Sequence, residues 1–226
     1  MSLDTYQLIF QAVAFLFACC VHECAHAWMA SRCGDDTARL LGRITLNPIK
    51  HIDPIGTILL PAICLYQGGF FVGWAKPTPV DPRQFKHPVW DDIKTTLAGP
   101  GSNLLIATGS VVVLAVIAKT SGFGHDVVMS IARSQIPDSK SVLVPLTLLA
   151  FSFLEMNILL TAFNLIPIPP LDGSHVVRHF LPERIRQIYD TIGMFGLVLL
   201  FLVGGRVIGI ISAPFYQFFG SIIARL

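Results

Sequence analysis

His22, Glu23 and His26 stand in an H-E-x-x-H spacing. On a helix, residues i and i+4 share one face, one turn apart. Two imidazoles so placed can reach one metal ion at about 2.0–2.1 Å each. Glu23 is rotated about 100° from His22 around the helix, close to the metal without being needed as a ligand. That position suits a general base acting on a metal-activated water. The stretch before the motif, Tyr6 to Val21, is almost wholly apolar and uncharged. Two histidines and a glutamate at the end of such a segment are costly in hydrocarbon, so a functional site is the default reading. The competing reading is a pair of buried, satisfied histidines beside a chance glutamate.

A catalytic zinc usually takes three protein ligands and keeps one open position. Asp172 is the best third ligand. It follows a long apolar run and sits in Pro167-Ile168-Pro169-Pro170-Leu171-Asp172-Gly173, whose three prolines forbid regular helix. Such broken backbone within a membrane is tolerated only where protein or a water-filled cavity surrounds it. The alternative is that Asp172 merely caps the following segment. His51, His87, His125, His175 and His179 are rival ligands, and His175 is the strongest of them.

The elements that must position these residues are hydrophobic. The 226-residue chain is 53% hydrophobic and only 13% charged, against about 25% charged in soluble domains. Its mean hydropathy is +0.66. This composition predicts an all-α polytopic membrane protein, a single domain over 1–226. A net charge of +2 without basic runs gives no sign of nucleic acid. The five cysteines lack C-x-x-C spacing and read as small buried hydrophobes. The first apolar stretch has no basic n-region and holds the motif, so it is not a removable signal peptide.

In chain order, Tyr6–Ala30 predicts a first span, with Gly34 as its stop. The loop 35–53 holds a β-like run from Leu40 to Leu46. Pro54 suits a helix start, and Gly68-Gly69 a break after it. Phe70 to Val80, with its aromatics and two X-Pro pairs, reads as an extended edge strand. Ile93–Lys119 and Ser141–Ile166 are further spans, joined by a polar loop over 120–141. One helix over the last 35 or so residues would be about 52 Å long, against a hydrocarbon core of about 30 Å. A break at Gly204-Gly205-Arg206, dividing C-terminal helices over about 188–224, is therefore expected. The bundle would have about five spanning helices.

Taken together, His22-Glu23-x-x-His26, Ala98-Gly99-Pro100-x-x-Asn103 and Asn164-x-x-Pro167-x-Pro169-x-Leu171-Asp172-Gly173 resemble the three signatures of the site-2 protease family, intramembrane zinc metalloproteases of the M50 type. Gly73-Trp74-Ala75-Lys76-Pro77-x-Pro79-Val80 is similar to the compact prokaryotic branch without PDZ or CBS domains. The resemblance covers roughly residues 6–180, in the family's order. It implies one zinc ion on His22, His26 and Asp172, with Glu23 as catalytic base. It also implies that Asn103 and Asn164 hold substrate or the developing oxyanion. The substrates it implies are membrane proteins with a transmembrane helix, met within the lipid bilayer.

A shared zinc constrains topology. The spans carrying His22 and His26 and preceding Asp172 must run in the same direction, and the span 93–119 oppositely. That leaves no room for a complete crossing by 54–72, which predicts a re-entrant helix returning as the strand 70–80. Gly73, Trp74, Lys76 and Pro77 would then offer an edge for an extended substrate; the alternative is a structural hairpin packed on the core. Lys and Arg number seven in 31–93 and three in 173–189, against three in 119–142 and none in the first six residues. The positive-inside rule puts the zinc side in the cytoplasm of the cell membrane and the N-terminus outside. Two rival functions are an intramembrane metal or proton transporter and a catalytically inactive membrane receptor. A transporter usually has inverted repeats, which are not visible, and neither rival needs Glu23 beside His22.

Overall fold

The computed structural model describes residues 3–66 and 73–226, with the backbone alone over 3–5, 64–65 and 192–207. Eight α-helices follow in order: α1 Leu3–Cys33, α2 Thr37–Leu40, α3 Leu60–Tyr66, α4 Pro88–Thr120, α5 Gly122–Ala132, α6 Leu143–Asn164, α7 Asp172–Arg178 and α8 Glu183–Ile223. Single 3-10 turns lie at Pro48–Lys50 and Pro82–Gln84, and a π-helical turn, Pro54–Leu59, leads into α3.

Helices α1, α4 and α6 pack against one another as the frame. Three helices among the described residues are long and apolar enough to cross a bilayer: Tyr6–Cys33, Pro88–Thr120 and Leu143–Asn164. The main core joins Ala107, Val111 and Leu114 of α4 to Leu154 and Ile158 of α6, with Phe219 and Ile223 of α8 closing one side. A second cluster sets Ala14, Phe15 and Cys19 of α1 on Met156 of α6 and reaches Ala75. Between spans in lipid there is no hydrophobic drive to associate, so close van der Waals packing and buried hydrogen bonds hold these clusters together. Helix α7 is short and lies on α4, and this docking brings the residue after the prolines back to the frame.

Several expectations fail on local physics. Three helices among the described residues qualify as spans, so the expected count of about five is not supported. Helix α8 runs unbroken for 41 residues, with Gly204, Gly205 and Arg206 inside it. A glycine in a helix costs about 1 kcal/mol, whereas a break away from water strands backbone groups at several kcal/mol each. The loop 120–141 contains α5, whose Val127, Val128 and Ile131 are buried; its apolar side wins over its polar composition. The run Leu40–Leu46 is not β: it finishes α2 and turns at Gly42, and Arg43 N–H returns to the Ala38 carbonyl.

No strand or β-hairpin forms among the described residues. Residues 73–81 are extended, but they attach by single bonds, Trp74 N–H to Gly56 O at 3.0 Å and Lys76 N–H to His51 O at 2.8 Å. Pro77 and Pro79 have no N–H to give a ladder, and their partners are turns. Pro54 does start a short helical element, with Asp53 capping Ile55 and Gly56. The expected Gly68-Gly69 break, and residues 70–72 of the expected strand, lie outside the described residues.

Candidate metal centre and its neighbours

Helix α1 presents His22 and His26 one turn apart, 5% and 8% exposed. Asp172, in the first turn of α7, completes a group whose ligand atoms all lie within 4.8 Å of one another, and no other such group exists among the described residues. The two Nε2 atoms are 3.0 Å apart. Asp172 Oδ2 is 3.1 Å from His22 Nε2 and 3.4 Å from His26 Nε2. A tetrahedral ion with bonds of about 2.0–2.1 Å separates neighbouring donors by roughly 3.3 Å, so the three atoms already have the spacing of a zinc ligand set.

The hydrogen-bond network fixes which ring nitrogens carry protons. Asn157 Nδ2 donates to the Phe153 carbonyl at 2.7 Å. Asn157 Oδ1 therefore accepts, from Asn103 Nδ2 at 2.8 Å, and Asn103 Nδ2 also donates to the Ala18 carbonyl at 3.1 Å. Asn103 Oδ1 is left to accept from His22 Nδ1 at 2.6 Å. His26 Nδ1 donates to the Thr95 carbonyl at 2.7 Å. Each chain of assignments ends on a backbone carbonyl, which can only accept. In the neutral rings this leaves both Nε2 lone pairs turned towards each other and towards Asp172 Oδ2, which is buried without a hydrogen-bond donor. Three converging acceptors are stable around a cation and repulsive without one.

Glycine makes room for this cluster. A Cβ at Gly99 would fall 2.3 Å from His26 Nε2 and 2.6 Å from His22 Cε1, so only glycine lets the α4 backbone close on the imidazoles. Glu23 lies outside the ligand group. Its Oε2 accepts from Thr78 N–H at 2.7 Å, and its carbonyl accepts from Thr78 Oγ1 at 2.9 Å.

The other residues singled out in the sequence fall as follows. Asn103 is fully buried beneath His22, and both hydrogens of its amide are committed. Asn164 closes α6, with Nδ2 on the Leu160 carbonyl at 3.1 Å. Gly73, Trp74, Lys76 and Pro77 belong to the extended segment that crosses α1 at Glu23. Of the rival histidines, His51 bonds the Thr45 carbonyl, His87 precedes α4, and His125 faces Asp126. His179 bonds Asp92 at 2.6 Å, with His175 at 3.9 Å from the same oxygen, which ties α7 to α4. Thr95, Asn157, Thr78 and Arg43 were not anticipated, and Gly99 stood in a quoted signature without this role. Beyond that signature, the prolines flanking Thr78, which isolate its N–H, were the visible signal.

Comparison with known proteins identifies the family. Residues 10–203 match the family model described as Peptidase family M50. The chain is 35% identical over 203 residues to a Bacillus subtilis (strain 168) protein named "Putative zinc metalloprotease YwhC", covering 90% of this chain and 81% of that one. It is 29% identical over 180 residues to "Putative zinc metalloprotease Rip2" of Mycolicibacterium smegmatis, covering 77% of this chain and 58% of the relative. Against the protein of the same name from Mycobacterium tuberculosis (strain H37Rv) the figures are 26% over 202 residues, 84% and 64%. The chain thus spans most of the Bacillus relative and about three fifths of the two mycobacterial ones. No solved structure matches it.

Proposed function

The chain belongs to peptidase family M50 and is a zinc metalloprotease of the membrane, and on that premise we propose that it hydrolyses peptide bonds in or near transmembrane segments of membrane proteins. One zinc ion per chain is held by His22, His26 and Asp172, and Glu23 is the general base. The observation that carries this reading is the convergence of three acceptor atoms within 3.4 Å, beside a carboxylate that is not one of them. When bound, zinc supplies Lewis acidity, lowering the pKa of a coordinated water towards about 7 and polarising the scissile carbonyl.

Glu23 takes the proton of the attacking water and returns it to the leaving nitrogen. Asn103 keeps His22 Nδ1 protonated and Nε2 free, and Thr95 does the same for His26 through its carbonyl. Since both Asn103 amide hydrogens are committed, a donor for the oxyanion is better sought at Asn164, which spends only one on Leu160. Residues 73–77 are the candidate segment for holding an unwound substrate, through backbone groups not used by Gly56 and His51. The Lys and Arg distribution supports a cytoplasmic site and an external N-terminus in the cell membrane.

Purified protein and a Glu23→Gln variant should be given single-span membrane substrates, with zinc measured in both. Cleavage by the first alone, with zinc at stoichiometry in each, is expected. Cleavage retained in Glu23→Gln, or zinc lost from it while folded, would refute the assignment.

A further inference from the structure

Arg43 is 6% exposed, and among the described residues no carboxylate lies within ion-pair distance of it. Buried arginines ordinarily face an acid, because an uncompensated buried charge is costly. This one faces backbone. Its Nη1 donates to the Lys50 carbonyl at 2.6 Å, and its Nη2 to the Lys76 carbonyl and to the Pro77 carbonyl, the latter at 3.1 Å. A cation is thus spent on fixing the loop at residue 50 to the extended segment at 76–77. Lys76 N–H on the His51 carbonyl completes the same join.

The residue after this clamp is Thr78. Pro77 and Pro79 carry no N–H, so Thr78 supplies the only amide donor of 77–79, and it points at Glu23 Oε2. A residue before proline is held in extended backbone, which limits the directions that donor can take. Thr78 Oγ1 pins the same segment to the α1 backbone at Glu23 itself. Beyond it, Asp81 N–H is held by the buried Asp35 carboxylate at 2.7 Å. The segment is therefore fastened on both sides of the one amide that touches the base.

We propose that Arg43 is a positioning residue for the general base: its guanidinium fixes the carbonyls of 76 and 77 so that Thr78 N–H orients the Glu23 carboxylate. This rests on the reading of Glu23 as base. Arginine is required because its rigid planar fork addresses the Lys50 carbonyl with one Nη and the carbonyls of 76 and 77 with the other, whereas a lysine ammonium is a point donor on a flexible stem.

The test uses the purified full chain and a quenched-fluorescent peptide containing a single-span sequence that the wild-type protein cleaves. Arg43→Lys is expected to bind zinc at stoichiometry and keep KM within about twofold while kcat falls at least tenfold, the pattern of a contact made only on the way to the transition state. Amide exchange at Thr78, followed by NMR in the zinc-free protein, should quicken about tenfold while exchange in α1 is unchanged. Thr78→Pro removes the donor itself, and Arg43→Lys added to it should lower kcat no further, since the two act in series. Wild-type kcat and unchanged Thr78 exchange in Arg43→Lys would overturn the proposal, as would additive losses in the double variant. If Arg43→Lys does not fold, Arg43→Gln takes its place; failure of both to fold with zinc would make Arg43 a folding residue and overturn it equally. A cleaving Glu23→Gln would instead mark failure of the underlying reading, which the two Arg43 variants cannot produce.

Discussion

Replacing Asn103 by leucine separates two roles that one buried amide could play. Leucine keeps the branching of asparagine at Cγ and leaves no cavity, although its larger methyl groups overpack this fully buried position at a cost of about 1–3 kcal/mol. Two groups lose their partner, His22 Nδ1–H and Asn157 Oδ1, while the Ala18 carbonyl, inside α1, loses only a second donor. Each abandoned buried group costs about 1–3 kcal/mol of stability. The larger consequence falls on His22, which no longer has an acceptor to fix its tautomer and ring angle. Loss of such an outer partner typically weakens metal binding 10–100-fold, about 1.4–2.7 kcal/mol. Zinc competition against a chelator of known affinity, in detergent at fixed pH, should show an apparent Kd higher by that factor. Had Asn103 served the oxyanion instead, zinc affinity would stay and kcat would fall about 10²–10³-fold. An unchanged Kd with such a kcat loss would refute the orienting role.

Asp172→Ala should remove zinc almost completely, because only two ligands remain, whereas His175→Ala should retain it; metal analysis of the two proteins decides between the residues. Gly99→Ala places a methyl 2.3 Å from His26 Nε2, so zinc content should drop and the melting temperature with it, while Gly101→Ala, where a Cβ meets nothing, should leave both unchanged. Cysteines placed at Lys50 and Lys86, in a background lacking the native five, should both label from the cytoplasmic face of oriented vesicles with an impermeant thiol reagent. Labelling from opposite faces would break the topology argument.

What could be read before the structure followed from short-range rules. The i,i+4 spacing of His22 and His26 needs only a helix, and the apolar stretches of α1, α4 and α6 needed only length. Asp172 was legible because an acid behind three prolines has few other reasons to be there. Arg43, Thr78 and Asn157 were not legible, since their meaning lies in partners 34, 55 and 54 residues away that no local pattern announces. The strand expected at 70–80 arose from a true local preference for extended backbone. A strand also needs a neighbour with a continuous row of carbonyls, and the turns at 51 and 56 offer isolated ones.

The two acceptor chains behind the imidazoles end on different helices, His26 on α4 at Thr95 and His22 on α6 through Asn103 and Asn157. The third metal-facing atom arrives only with α7. A ribosome adds about 5–20 residues per second, so His22 and His26 wait several seconds or more in the bilayer before Asp172 is made. Throughout that interval the nascent chain lacks the full ligand set, and for most of it also the Asn157 end of the network that orients His22. On the proposed reading of the site, hydrolysis therefore has to wait for assembly of the spans.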